Sequence, residues 1–165
     1  SSVTGVQTCA LPISTASAQG NWAVKGDRMA QFFASSDDVQ TASQNKSATL
    51  VDARDLPTFH GLSKRDYVYD FGHIEGAQIF TPDLMFKNRG GALKFMNAET
   101  YRGLFKGQGI DPQKDVITYC NSGHLAAGPW FLMSEVVGNP RTRLYDGSMH
   151  EWTLEKRPVV NITNR

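Results

Sequence analysis

The sequence has no long hydrophobic run. No apolar stretch approaches the ~18 residues of a membrane-crossing helix, so no membrane segment is expected in these 165 residues. A block of lysine and arginine is also missing. The 17 basic and 16 acidic residues are dispersed and give a formal net charge of +1, which leaves no electrostatic footprint for nucleic acid or a membrane surface. Cysteine is scarce, with Cys9 and Cys120 the only two. No internal repeat is present. What is there suits one ordinary domain with a real core, at 40% apolar and 20% charged residues.

The first residues stand apart. Val3–Ile13, VTGVQTCALPI, resembles the translation of a sequencing-library adapter, so residues 1–14 are read as an artefact joined to a truncated gene. That reading would place the true N-terminus, and any signal peptide or upstream domain, outside this sequence. It also removes Cys9, leaving Cys120 as the one thiol with no partner for an internal disulfide.

Residues 15–30 read as a linker that opens with the small, polar TASAQGN, and residues 31–158 as the domain. Gln31–Ala34 is expected as an edge strand. Ser35-Ser36-Asp37-Asp38 should cap a helix to about Gln44. Ala48–Ala53, ATLVDA, reads as a buried strand. Asp55–Gly72 is long for a plain connection, which favours a functional surface loop. Gln78–Phe80 is strand-like, and Asn97 should cap a helix through about Lys106. Val116–Tyr119 is a short, β-branched buried strand, and Arg141–Asp146 the last strand. A short helix opens near Gly147, and the polar end, with residues 159–165 as a tail, is expected to fray.

Strands alternating with helices indicate an α/β fold with an open, mostly parallel sheet and helices on both faces. Ligands of such sheets bind beyond the carboxyl ends of the strands. Those ends carry Asp52, Arg54, Thr81, Cys120 and Asp146. Cys120 is followed by Asn121-Ser122-Gly123-His124 and then by the apolar run Leu125–Val137, long enough for a helix. Loop amides and a helix N-terminus facing the sulfur would favour thiolate, making Cys120 a candidate nucleophile. Gly128-Pro129 interrupts that run, so the helix is expected either to start late, near Ala126, or to kink.

Four motifs in order resemble the rhodanese (sulfurtransferase) superfamily: Val51-Asp52-Ala53-Arg54, Gly72-His73-Ile74-Glu75-Gly76-Ala77, the loop Cys120–Leu125, and Tyr145-Asp146-Gly147-Ser148 with Glu151-Trp152. The resemblance implies a rhodanese-like fold and covalent sulfur transfer. Cys120 would take a sulfane sulfur from a small anionic donor, thiosulfate or 3-mercaptopyruvate. It would hold the sulfur as a persulfide and pass it to a cyanide or thiol acceptor. The amides of Asn121, Ser122, Gly123, His124 and Leu125 would cradle the persulfide. No metal or organic cofactor is implied.

Arg54 would attract the donor, with a salt bridge to a nearby acid as the equal alternative. Asp52 and Asp146 are read as tying loops to the backbone. His73 is read as a packing and hydrogen-bonding residue, and Trp130 and Trp152 as core anchors. The YDGSxxEW spelling resembles the C-terminal catalytic domain of tandem-domain sulfurtransferases, implying an N-terminal rhodanese-like domain upstream. Relatives with this loop resemble bacterial periplasmic or cytoplasmic enzymes.

The loop departs from the family pattern. Basic residues common after the cysteine in thiosulfate-type loops are replaced by Asn121 and Ser122, and the family's second arginine position holds Thr58. Lys64 or Arg65 is the available substitute. A phosphatase or arsenate reductase would need an arginine closing the loop, and no Arg or Lys occurs between Lys114 and Arg141. A non-catalytic rhodanese-like module is the other alternative, although such modules typically lack the cysteine. A cysteine protease would need a paired base, and none can be assigned.

Overall fold

The computed structural model describes residues 29–163. Four strands form one parallel sheet: β1 (Thr49–Asp52), β2 (Gln78–Ile79), β5 (Val116–Tyr119) and β6 (Thr142–Leu144), in the order β2-β1-β5-β6. Two short exposed strands, β3 (Lys87–Arg89) and β4 (Ala92–Lys94), make a separate antiparallel hairpin. Its turn is Gly90-Gly91, both at positive φ, a two-residue connection that glycine adopts at little cost.

Every residue of β5 is buried, as a strand covered on both faces must be. Side chains alternate across the sheet. Leu50, Ile117 and Tyr119 enter one core with Val39 and Ala42 of α2 (Ser36–Asn45) and Met149 and Trp152 of α6 (Ser148–Leu154). Val51 and Val116 enter a second core with Tyr101 and Phe105 of α4 (Ala98–Gly107) and with Leu132 and Met133. Helices therefore cover both faces, in agreement with the expected α/β class.

Local sequence accounts for most element ends. Ser35 and Asp38 form a reciprocal capping box on α2, and Asn97 accepts from the Thr100 amide at the start of α4. The long excursion after β1 contains one helical turn, α3 (Leu56–Phe59), capped by Asp55 with Pro57 in its first turn.

Two expectations, the edge strand at 31–34 and the fraying tail, differ from the structure, and of the two starts expected for the helix after the cysteine the late one is found. Residues 31–34 do not form an edge strand: α1 (Met29–Phe32) is a helical turn, and only Phe33 bridges to Leu144. The Ala34 amide makes the single ladder bond, to the Leu144 carbonyl, so there is no length for a strand. The helix after the cysteine starts late. It comprises α5 (Ala127–Phe131) and a π-helical turn, Leu132–Val136, which places Pro129 in the first turn, where no backbone bond is lost. The tail does not fray within the described residues. Val160 pairs with His73 in both directions, the Pro158 carbonyl accepts from the Trp152 indole, and the Ile162 amide reaches the His60 carbonyl. Residues 1–14, read above as an artefact, and nearly all of residues 15–30, read as a linker, lie outside the described residues.

Candidate active site

Cys120 follows β5 directly, between the ends of β1 and β6. The parallel ladder runs past it on both sides, with the Ala53 amide on the Tyr119 carbonyl and the Tyr145 amide on the Thr118 carbonyl. β1 leads outward to β2 and β5 leads outward to β6, so the cysteine sits at the switch point of the sheet.

The loop after it is shaped by α6. The amides of Met149 and His150, in its first turn, donate to the carbonyls of Cys120 (3.0 Å) and Asn121 (2.9 Å). No peptide bond among the described residues is cis, and in a trans peptide the N–H points opposite to the carbonyl. The amides of Asn121 and Ser122 are thereby turned away from α6. They, and those of His124 and Leu125, meet no acceptor among the described residues. Thr118 clamps the far end of the loop by donating to the Ala126 carbonyl at 3.1 Å.

Ser148 is the centre of this arrangement. Its hydroxyl accepts from the amides of Cys120 and Gly123, both at 3.0 Å, and donates to the Tyr145 carbonyl at 2.9 Å. Two acceptances and one donation use the full capacity of a hydroxyl. The Gly123 amide is therefore engaged with Ser148. Gly123 itself lies at φ +83°, and a Cβ there would collide with the Asp146 carboxylate and come within 3.0 Å of its carbonyl oxygen.

A cleft of about 340 Å³ opens over the loop, lined by Cys120, Asn121, Ser122, His124 and Leu125, and by Arg65 and Tyr67 from the long excursion. Ser122, His124 and Leu125 are exposed; Cys120 is a free thiol at 1% exposure. Asn121 is 7% exposed, and its carboxamide oxygen has no hydrogen-bond partner among the described residues.

Arg54 is placed differently from a donor-binding residue. It is 1% exposed, gripped by the Asp52 carboxylate through Nε and Nη2 (2.6 Å for the latter), and its Nη2 also donates to the Gly72 carbonyl. Burial works against its charge, but Asp52 outweighs this and holds the guanidinium protonated beyond its ordinary range. Of the two roles weighed for Arg54, the geometry is that of the salt bridge.

Asp52 accepts the Arg54 amide as well, so this pair fixes the chain as it leaves β1. His73 is buried, stacked on Phe59 at 3.7 Å, with its Nδ1 against the Phe59 carbonyl. Asp146 is exposed and accepts no hydrogen bond among the described residues. The loop-tying role expected of it falls to its neighbour Ser148, whose hydroxyl points inward. Trp152 is buried; Trp130 is half-buried and donates to the Thr142 carbonyl.

Residues 35–155 match the family model of the rhodanese-like domain. The chain belongs to this family. Among curated proteins it is 36% identical over 109 residues to the sulfur carrier protein TtuD of Thermus thermophilus, covering 62% of this chain and 37% of that one. It is 31% identical over 132 residues to a Saccharopolyspora erythraea protein named "Putative thiosulfate sulfurtransferase", covering 76% and 45%. The chain thus spans less than half the length of either relative.

Two solved structures share the fold. The Tum1 protein of Saccharomyces cerevisiae has a TM-score of 0.66 at 24% identity, over 81% of this chain and 47% of that one. An anaerobic ergothioneine biosynthesis enzyme of Chlorobium limicola has a TM-score of 0.67 at 23% identity, over 79% and 32%.

Within this rhodanese-like domain, sequence reasoning missed Ser148 and Tyr67. The signal for Ser148 was its place directly after Asp146-Gly147 at a helix start. Its amide partners lie 28 and 25 residues away, a separation that no local pattern encodes. No helix among the described residues is long and apolar enough to cross a membrane. Among those residues no three of His, Cys, Asp and Glu gather where they could hold a metal.

Proposed function

We propose that this domain is a sulfurtransferase that moves a sulfane sulfur through a persulfide on Cys120. The observation that carries the reading is the loop: a free cysteine at the sheet's switch point, followed by amides turned away from α6 with no protein acceptor. Such amides stabilise an anion at the position a persulfide would occupy.

With thiosulfate, the Cys120 thiolate attacks the outer sulfur. The Cys–S bond forms as the S–S bond of thiosulfate breaks, and sulfite leaves with the electron pair. Cyanide or a thiolate then attacks the outer sulfur of the persulfide, carries it off as thiocyanate or a new persulfide, and returns the Cys120 thiolate. With 3-mercaptopyruvate the C–S bond breaks, and the thiol proton ends on the methyl of pyruvate. The neutral side chains of Asn121 and Ser122 suit a donor bound by hydrogen bonds. A second reading, a carrier that holds the same persulfide for a protein acceptor, draws on the name of the Thermus relative and differs only in the acceptor.

Thiocyanate formation from thiosulfate and cyanide, and from 3-mercaptopyruvate and cyanide, tests the reading. Wild type should turn over at least one donor, and Cys120→Ser should lose it with the fold retained. Turnover by Cys120→Ser near the wild-type rate would overturn the mechanism.

A further inference from the structure

We propose that the exposed hairpin β3–β4 docks an extended segment of a partner protein, one in which acidic residues alternate with apolar ones, by taking it as a third strand along β3. Register, charge and the free edge of the ribbon point to the same occupant.

The chain carries no acidic residue between Asp83 and Glu99, and the hairpin in that interval holds Lys87, Arg89 and Lys94. Side chains alternate along a strand, so Lys87 and Arg89 share a face. The register sets Lys94 on that same face, directly opposite Lys87. Like charges directly opposite weaken a ladder. All three cations are exposed, and none makes an ion pair or hydrogen bond to a described residue. The other face carries Phe86, Asn88, Leu93 and Phe95. The Phe86 and Phe95 ring centres lie 4.9 Å apart, and Phe95 lies 5.9 Å from Phe131 of α5. Leu93 nevertheless stays 70% exposed and Phe95 57%.

The ribbon is fixed at its base and open at its edge. The Tyr101 hydroxyl donates to the Met85 carbonyl at 2.7 Å and accepts from the Met96 amide at 3.1 Å, which clamps both ends of the hairpin to α4. No third strand pairs with it among the described residues, and a two-stranded ribbon alone is marginal in water. The Gly90-Gly91 turn makes Arg89 and Ala92 a bonded pair. Asn88 then falls in the unbonded pair and turns its N–H and carbonyl outward. A strand added there antiparallel places one residue opposite Asn88, on the face of the rings, and its two neighbours opposite Lys87 and Arg89. Acidic neighbours around an apolar residue suit both faces at once. The outer edge of β4 offers a single cation, Lys94. Edge-to-edge pairing of two copies through β3 would set cation against cation, so an acidic strand of another protein is the occupant that fits.

Amide NMR of the full chain, titrated with a short peptide alternating glutamate and valine, tests this. The peptide should shift the amides of residues 86–95, above all that of Asn88. Lys87→Glu should weaken binding by about tenfold. N-methylation of the valines, which face Asn88 and exchange both backbone bonds with it, should abolish binding. Gathering the same glutamates into one block should weaken it.

Wild type whose residues 86–95 do not respond would overturn the proposal, as would undiminished affinity in Lys87→Glu. Binding of the N-methylated or the block peptide as tightly as the alternating one would overturn strand addition. A single-stranded RNA that binds this face more tightly than the peptide would replace the protein partner by a nucleic acid. Self-association in sedimentation that Lys87→Glu abolishes would replace it by a second copy of the chain.

Discussion

Ser148 adopts φ +52°, a left-handed conformation that a serine enters only at some cost, and it is fully buried. The hydroxyl explains the choice, since a glycine would relieve the backbone and leave two buried amides without an acceptor. Ser148→Ala, which keeps the strain and loses the bonds, is expected to cost about 1–3 kcal/mol in urea unfolding. Ser148→Gly should cost less while slowing sulfur loading of Cys120 similarly. Equal stability of Ser148→Ala and wild type would contradict this role. Arg54 presents the complementary case. Arg54→Met leaves Asp52 buried and unpaired, at an expected cost of about 3–5 kcal/mol, yet the folded fraction should keep the wild-type KM for thiosulfate. A raised KM at unchanged stability would return Arg54 to donor binding. The contiguous site, Cys120 to Leu125, was legible because its chemistry is local. Whether Arg54 faced a ligand or an acid was not, because the choice depends on burial and on the Gly72 carbonyl 18 residues away.

At the scale of elements, the Cys120 loop and α6 behave as one unit, joined by two amide–carbonyl bonds and the Ser148 hydroxyl. Gly123 lies against Asp146, just ahead of α6. Gly123→Ala meets the Asp146 carboxylate and a left-handed φ together, and should cost more than about 2 kcal/mol while abolishing loading of Cys120. Retention of both would mean the loop can re-form around a side chain. β1, β5, α2 and α4 were legible from apolar runs and caps, which are local signals. The hairpin β3–β4 went unread although Gly90-Gly91 marks its turn, because its strands are exposed throughout and lack the alternation that betrays a buried face. The edge strand expected at 31–34 failed for the opposite reason: its apolar residues pack from a helical turn. Phe32, for example, meets Trp130 edge-on at 6.0 Å.

For the molecule as a whole, cores on either side of the parallel sheet hold the switch point, and two buried tyrosines of one of them tie its stability to pH. Burial first, and nearby carboxylates next, push the Tyr119 and Tyr145 phenols above their usual range near ~10. Their contribution to stability is complete below that value and is lost as pH rises through the folded values. Tyr145→Phe should therefore flatten the alkaline side of the stability curve, measured as the urea midpoint against pH. An unchanged alkaline slope would contradict the cause. On the acid side, the Ser35 amide holds Asp38 below the carboxylate range. For Asp55, burial pushes upward but the bonds from Thr58 prevail. These contributions are complete above about pH 4 and are lost as pH falls through the folded values. The central claim concerns one atom, the sulfur on Cys120, and the most direct test is the intact mass of the chain after thiosulfate or 3-mercaptopyruvate, then after cyanide. The expected result is a gain of one sulfur on the peptide containing Cys120, absent in Cys120→Ser, and its removal by cyanide as thiocyanate. An unchanged mass with both donors, or a sulfur that Cys120→Ser still acquires, would contradict it.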